Sequence, residues 1–400
     1  MRKLKSWLDG FIELTQQGTS PWIFCLWGGI ACIAGAMERK TWVTTMGRPV
    51  YPNLYTILVG PSGVGKTFVT DEVRMLWLSL IGHRVARSSV NYASIIDELR
   101  QAERHIITPG KPIETYHSLK VCSNEMQVMI PEYDHALMAK LTDIYDNKSY
   151  GESRRSKAEN TFDILKPQIN FLAATTPKYM NSVMPEGAWD LGFLSRCIII
   201  FSGERRKISL FQNRKSDPRL LELLKNDLDH ISKLGGEYTF SDEAANRLDS
   251  FFQSGGPERP DHPKLSTYNE RRHFHLTKLM MVSAAIRTDA LELTEEDYST
   301  ALQWMIQAER AMPEVFKAMV SSGDSKIVED CHYAMFKNFL KNKVPIPQEY
   351  VTRFISSRAP AYSVKTIIDN MVQSGYIKPT TVPGYGTCYI PLNPNEMEQI

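Results

Sequence analysis

Eight consecutive residues, Gly60-Pro61-Ser62-Gly63-Val64-Gly65-Lys66-Thr67, satisfy the pattern G-x-x-x-x-G-K-[ST] at every fixed position. That spacing suits anion binding. Glycines let a loop close round a phosphate without Cβ clashes, and they turn backbone N–H groups and a helix N-terminus toward it. Lys66 then reaches the β- and γ-phosphates, and the Thr67 hydroxyl supplies an oxygen to Mg²⁺. Gly60 to Thr67, with Phe68 behind them, are the nucleotide-binding candidates, and ATP and Mg²⁺ are the expected cofactors.

Hydrolysis needs more than a phosphate cradle. A second strand should end in an acidic residue that orients the attacking water, and the stretch from Tyr116 to Glu125 reads as such a strand. Glu125 fits the water-orienting role. Asn124 stands where a metal-associated Asp is usual, so it offers hydrogen bonds to metal-bound water without negative charge. The competing reading is that Glu125 caps the following helix; Glu132 and Asp134 are the fallback carboxylates. A later apolar strand over Gln168 to Thr176 brings Thr175 to its tip, within reach of the γ-phosphate or its water. Arg196 precedes the apolar run Cys197 to Phe201. From the entry of a strand such a side chain can leave its own subunit and stabilise charge on a neighbour's phosphate; beside a strand it is otherwise an ordinary surface residue. Arg271 or Arg272, at a helix start, is a further cation for the nucleotide, or else a solvated basic pair. Lys148, Arg154, Arg155 and Lys157 form a polar basic insert suited to a nucleic-acid backbone, although a solvated charge run has the same composition.

These residues depend on the elements around them. Leu54 to Val59 reads as a short buried strand before the loop, and Phe68 to about Ile81 is apolar at helical spacing with no Pro or Gly. Residues 3–16 predict an amphipathic helix, and 41–51 a short hairpin or strand. Strands alternating with helices as far as Phe201 imply an α/β core with a mainly parallel sheet. Residues 217–320 read as almost wholly helical. Residues 325–395 read as three helices and a β-hairpin across Pro383-Gly384-Tyr385-Gly386, the order of a winged helix. Lys365 is the only base on its third helix and Asp369 lies beside it, so DNA and protein contacts both remain open. The expected division is an N-terminal helical segment 1–50, an ATPase core 51–216, a helical lid 217–320 and a winged-helix domain 325–400.

Four hundred residues with 42% hydrophobic and 23% charged content suit a globular protein of two or three domains. A net charge of +2 is too small to argue nucleic-acid binding from charge alone. Six cysteines without metal-ligand spacing suggest a reducing compartment. The uncharged run from Pro21 to Met37 touches the lower length of a membrane span, but its glycines and position favour a helix buried against the core. A cytoplasmic protein without membrane contact is expected.

With Gly60–Thr67, Asn124-Glu125, Thr175 and Leu194-Ser195-Arg196 in order, the chain resembles an AAA+ ATPase of the replicative-helicase kind. The Leu-Ser-Arg turn is similar to the arginine finger of minichromosome maintenance helicases, and the region around Arg272 to their sensor-two helix. The stretch from Ser20 to Thr67 and Leu141 to Asp146 is closer to phage and mobile-element replication ATPases related to superfamily III helicases. That resemblance implies a ring, by expectation a homo-hexamer, with ATP between subunits, Arg196 acting in trans, and channel loops pulling single-stranded or forked DNA beside other replication proteins. Asn124 and Thr175 depart from the family's usual Asp and Asn. Two alternatives use the same phosphate loop: an initiator or helicase loader that binds DNA without unwinding it, and a small-molecule kinase.

Overall fold

A computed structural model of the protein describes residues 2–87, 92–107, 112–130, 135–148, 150–153, 161–183, 192–209, 217–359 and 364–392. The chain divides into two compact units, 1–315 and 316–400. The N-terminal segment, the phosphate-loop region and nearly all of the expected lid thus fall within one unit.

The first unit begins with α1 (Trp7–Thr15), started by Ser6, whose hydroxyl accepts from the Asp9 N–H. The uncharged run forms α2 (Trp22–Met37), buried at every residue from Phe24 to Met37. No helix among the described residues is long and apolar enough to cross a membrane. A hairpin follows, β1 (Thr41–Thr45) and β2 (Arg48–Val50), joined through Met46 and Gly47, both at positive φ. That is the two-residue turn whose twist matches the strands.

β3 (Tyr55–Val59) is buried along its length and leads through the glycine loop into α3 (Lys66–Ser79). α2 lies close against α3. A Cβ on Gly35 would stand 2.6 Å from the Trp77 ring, so the approach depends on a residue without a side chain. The Trp77 indole N–H donates to the Cys32 carbonyl at 2.9 Å, which satisfies both buried groups.

Next come β4 (Arg84–Val85), α4 (Tyr92–Arg100), β5 (Glu103–Ile106), β6 (Glu114–Ser123), α5 (Met126–Met129) and α6 (His135–Tyr145). A small hairpin, β7 (Tyr150–Ser153) with β8 (Thr161–Ile164), occupies part of the stretch read as a polar insert. β9 (Pro167–Thr175), α7 (Pro177–Val183) and β10 (Cys197–Phe201) complete the central sheet. Its order is β10–β3–β9–β6–β4, with every neighbouring pair parallel and β5 added antiparallel to β6. Strands buried on both faces need near-continuous apolar sequence, and CIIIF and YTILV supply it.

A buried charge cluster ties α2 to β6. Glu38, at the end of α2, accepts from Lys120 Nζ at 2.8 Å and from the Tyr116 hydroxyl at 2.7 Å, with His83 at 3.1 Å and Arg104 at 3.3 Å. Burial pushes the Glu38 carboxyl upward, but Lys120 and the other cations outweigh it and hold the group well below the usual carboxylate range. Burial, reinforced by Lys120, pushes His83 down to about 2.

The remainder of this unit is α8 (Pro218–Ser232), β11 (Gly236–Phe240), α9 (Asp242–Ser254), α10 (Ser266–Asn269), α11 (Arg272–Arg287), β12 (Glu292–Leu293) and the start of α12 (Glu295–Asn342). The expectation of an almost wholly helical region is corrected here. β11 lies parallel between β1 and β12, forming a second sheet of order β12–β11–β1–β2.

The second unit contains the end of α12, then β13 (Ile346–Pro347), α13 (Gln348–Ser356), α14 (Val364–Gln373), β14 (Ile377–Val382) and β15 (Gly386–Pro391). Its sheet order is β13–β15–β14, all antiparallel. Its own core gathers Cys331, Met335, Val351, Ile355, Ile367, Met371 and Ile377.

Candidate functional site

The glycine loop closes between β3 and α3 as its spacing requires. Gly65 takes φ 96°, and a Cβ there would meet the Ser20 backbone at 2.8 Å, so only glycine fits. Ser20 also fixes the loop from outside, its hydroxyl donating to the Gly65 carbonyl at 2.6 Å. The Gly60 N–H donates to the Thr175 carbonyl at 3.3 Å, joining the loop to the tip of β9. Lys66 Nζ arches over the loop and donates to the carbonyls of Gly60 at 2.6 Å and Pro61 at 2.7 Å. Burial pushes its amine down to about 8.

Because β9 lies between β3 and β6, the C-terminal tips of all three strands open on one side of the sheet. There they line a cavity of about 330 Å³ whose walls include Ser62, Gly63, Lys66, Thr67, Asn124, Glu125 and Thr175. Residues more than a hundred positions apart are brought together as expected. The Thr67 side chain is exposed and the Val64 side chain is buried, while Phe68 lies against Gly18 and does not line the cavity.

Asn124 accepts a hydrogen bond from the Thr70 hydroxyl and donates from Nδ2 to Asp71 Oδ1 at 2.7 Å. The negative charge missing from position 124 therefore stands beside it on Asp71. Sequence reasoning missed Asp71; its signal is the i, i+4 spacing from Thr67, which sets both on one face of α3. Glu125 occupies the N-cap position of α5 yet makes no capping bond with its side chain. Its carboxylate accepts instead from Gln127 Nε2 at 2.5 Å and lines the cavity. Thr175 is buried, and its hydroxyl has no hydrogen-bond partner among the described residues. An unpaired buried hydroxyl costs free energy unless something completes it.

The residues fit a magnesium nucleotide. Lys66 brings an amine to the cradle, Thr67 is a hard oxygen donor of the kind Mg²⁺ takes, Asp71 stands behind Asn124 outside the lining, and Thr175 has an uncommitted hydroxyl. Glu132 and Asp134 lie outside the described residues.

Two arginines stand elsewhere than expected. Arg196 precedes β10 at the end of the sheet away from the loop, since Cys197 pairs with Tyr55 at the start of β3. It does not project from its subunit. It is 6% exposed, with Nε 3.1 Å from Asp146 Oδ1, NH2 on Asp146 Oδ2, and NH1 donating to the Gly192 carbonyl at 2.6 Å. Arg272 does not face the nucleotide cavity either. It is 1% exposed and paired with Glu309 at 2.7–2.8 Å, with further bonds to the carbonyls of Gly255 and Pro257. A guanidinium with five donors is satisfied only by such a set, and Glu309 sits a full helix away in sequence.

Of the basic insert, Lys148 is exposed and pairs with Asp143 at 2.9 Å. Arg154, Arg155 and Lys157 lie outside the described residues. No protein-family model matches the chain, and no curated protein matches it in sequence.

Proposed function

We propose that this protein binds ATP with Mg²⁺ in the cavity at the tips of β3, β6 and β9 and hydrolyses it, using the energy to move along or open DNA. The observation that carries this reading is the convergence of Lys66, Thr67, Glu125 and the unpartnered Thr175 hydroxyl on that one cavity. ATP supplies the transferable phosphoryl group. Lys66 and the loop N–H groups would bind its phosphates, and Thr67 would hold the metal, which would neutralise phosphate charge. Glu125 accepts a hydrogen bond from the attacking water, and Thr175 donates to the phosphoryl oxygen.

The AAA+ assignment is supported by the strand interposed between the loop strand and the strand bearing Asn124-Glu125. A DNA track is supported by the second unit, where two short helices and a β-hairpin follow a longer helix in the order of a winged helix. On this reading the enzyme is a phage or mobile-element helicase working as a homo-hexameric ring alongside replication proteins. The initiator or loader reading has one observation of its own: the only charge on Arg196 is committed to Asp146 within the chain, so it is not offered to a neighbour.

The test is strand displacement on a forked duplex with ATP and Mg²⁺, using Lys66→Ala as control. Unwinding by the wild type alone supports the helicase. Binding of the fork with ATP hydrolysis but no opening transfers the assignment to the initiator or loader, and equal hydrolysis by Lys66→Ala removes the site itself.

A further inference from the structure

A second cavity, of about 580 Å³, opens near the start of β3, the end remote from the glycine loop. Five strand residues separate the two ends, about 16 Å of rise. Its walls come from the β1–β2 hairpin, the C-terminal end of α6 and the beginning of α11, and they carry the cations Arg48, Arg271 and Lys278, besides Lys148, which is paired with Asp143.

Charge is out of balance here. Lys278 is 3% exposed, and its Nζ donates to the Asn53 carbonyl at 3.0 Å and to Asn53 Oδ1 at 2.8 Å while lying 3.8 Å from the Tyr145 ring centroid. Both acceptors are neutral. Arg271 NH1 stands 3.6 Å from Asp146 Oδ1, the carboxylate already bound by Arg196. One carboxylate thus serves two guanidinium groups with a buried ammonium close behind. Burial lowers the basicity of both Arg271 and Lys278, with Arg196 second for the former, as expected of cations short of counter-charge. The Tyr145 hydroxyl in the same wall is buried and has no hydrogen-bond partner among the described residues.

An anion would correct this, and the cavity narrows its chemistry. Its volume is that of a small-molecule site, with the rings of Tyr51 and Phe274 beside the cations. Guanidinium groups at such a position recognise phosphate by paired hydrogen bonds, and aromatic rings stack a planar base. We infer that this cavity is a second nucleotide-phosphate site, separate from the glycine loop. The phosphate comes from a free mononucleotide.

Equilibrium dialysis of ADP against full-length Lys66→Ala protein, with pyrophosphate as competitor, tests this. The expected result is about one ADP per chain, displaced by pyrophosphate, with Kd raised about tenfold when Arg271→Ala is added, the effect of one charge-assisted bond. Arg48→Ala, wholly on the surface, repeats the comparison without risk to folding. Absence of ADP binding overturns the inference, as does binding that neither Arg271→Ala nor Arg48→Ala weakens. Failure of the glycine-loop reading is recognised separately, by wild-type and Lys66→Ala chains hydrolysing ATP equally.

Discussion

Lys66 makes nucleotide affinity depend on pH in a way that can be worked out from its surroundings. Its amine is enclosed by the loop and offered only carbonyl oxygens, and burial pushes it down to about 8. A phosphate placed against it restores the charged form toward its ordinary value of about 10.4. The complex then binds more protons than the free protein above about pH 8, so affinity is greatest below that value and is lost as pH rises through it. Between about pH 7.5 and about pH 9 the free amine changes from mostly charged to mostly neutral, and Kd for ADP should rise about eightfold, or ~1.2 kcal/mol. The nucleotide's own phosphate, with a pKa near about 6, is fully ionised throughout that window and adds no slope. Calorimetric titration in two buffers of different ionisation enthalpy measures both Kd and the proton taken up. Lys66→Arg, charged at every accessible pH, should bind with a flat profile. A wild-type Kd that stays constant across the window would refute the reasoning, because the phosphate would then not be meeting that amine.

Three further outcomes follow from the same geometry. Gly35→Ala forces a Cβ to within 2.6 Å of the Trp77 ring and should lower unfolding free energy by about 1–3 kcal/mol in urea melts; an unchanged midpoint would mean the α2–α3 contact yields freely. Removing Arg272 alone leaves Glu309 buried with no counter-charge beyond the Tyr268 hydroxyl bond and should cost about 3–5 kcal/mol, whereas the paired Arg272→Met, Glu309→Leu substitution should recover much of that stability; ADP affinity of the folded fraction should be unaltered in both, and a selective loss of affinity would restore Arg272 to the nucleotide site. Asp71→Asn removes the carboxylate bonded to Asn124 and should raise the Mg²⁺ concentration needed for half-maximal hydrolysis about tenfold; an unchanged requirement would leave Asp71 a purely structural partner.

The sequence announces what is contiguous and hides what is assembled. The loop from Gly60 to Thr67 carries its strand and helix on either side, so motif and context are read together, and the buried course of α2 follows from an uncharged run. Glu125 and Thr175 were legible because each ends an apolar strand, and strand tips of a parallel sheet meet on one side. The fate of Arg196 was not. Its partner Asp146 lies fifty positions upstream at the end of another element, and no spacing rule connects them. Arg272 was misread for the same reason, since a basic residue at a helix start looks alike whether it faces phosphate or a buried Glu309. β11 and β12 escaped because GEYTF and a two-residue strand have little local pattern, β11 resting on its pairing with β1 and β12 on its pairing with β11. Asp71 was overlooked because its neighbour Asn124 reaches it on α3 from beyond the end of β6, more than fifty positions on.

The parallel pairing of β1 with β11 sets a timetable. Thr41 leaves the ribosome about two hundred residues before Gly236, the residue it lies against. At ordinary rates of synthesis that is a wait of about ten to forty seconds. During it the β1–β2 hairpin presents an open edge, and α2 lacks α8, which packs on it in the finished unit. The glycine loop is among the early segments made, yet α2, which packs on the helix after that loop, is covered only once α8 and then α11 are made, after residue 287. The nucleotide site is therefore encoded early and matures late, and the nascent chain spends the interval with its most apolar helix and a bare strand edge in need of shelter.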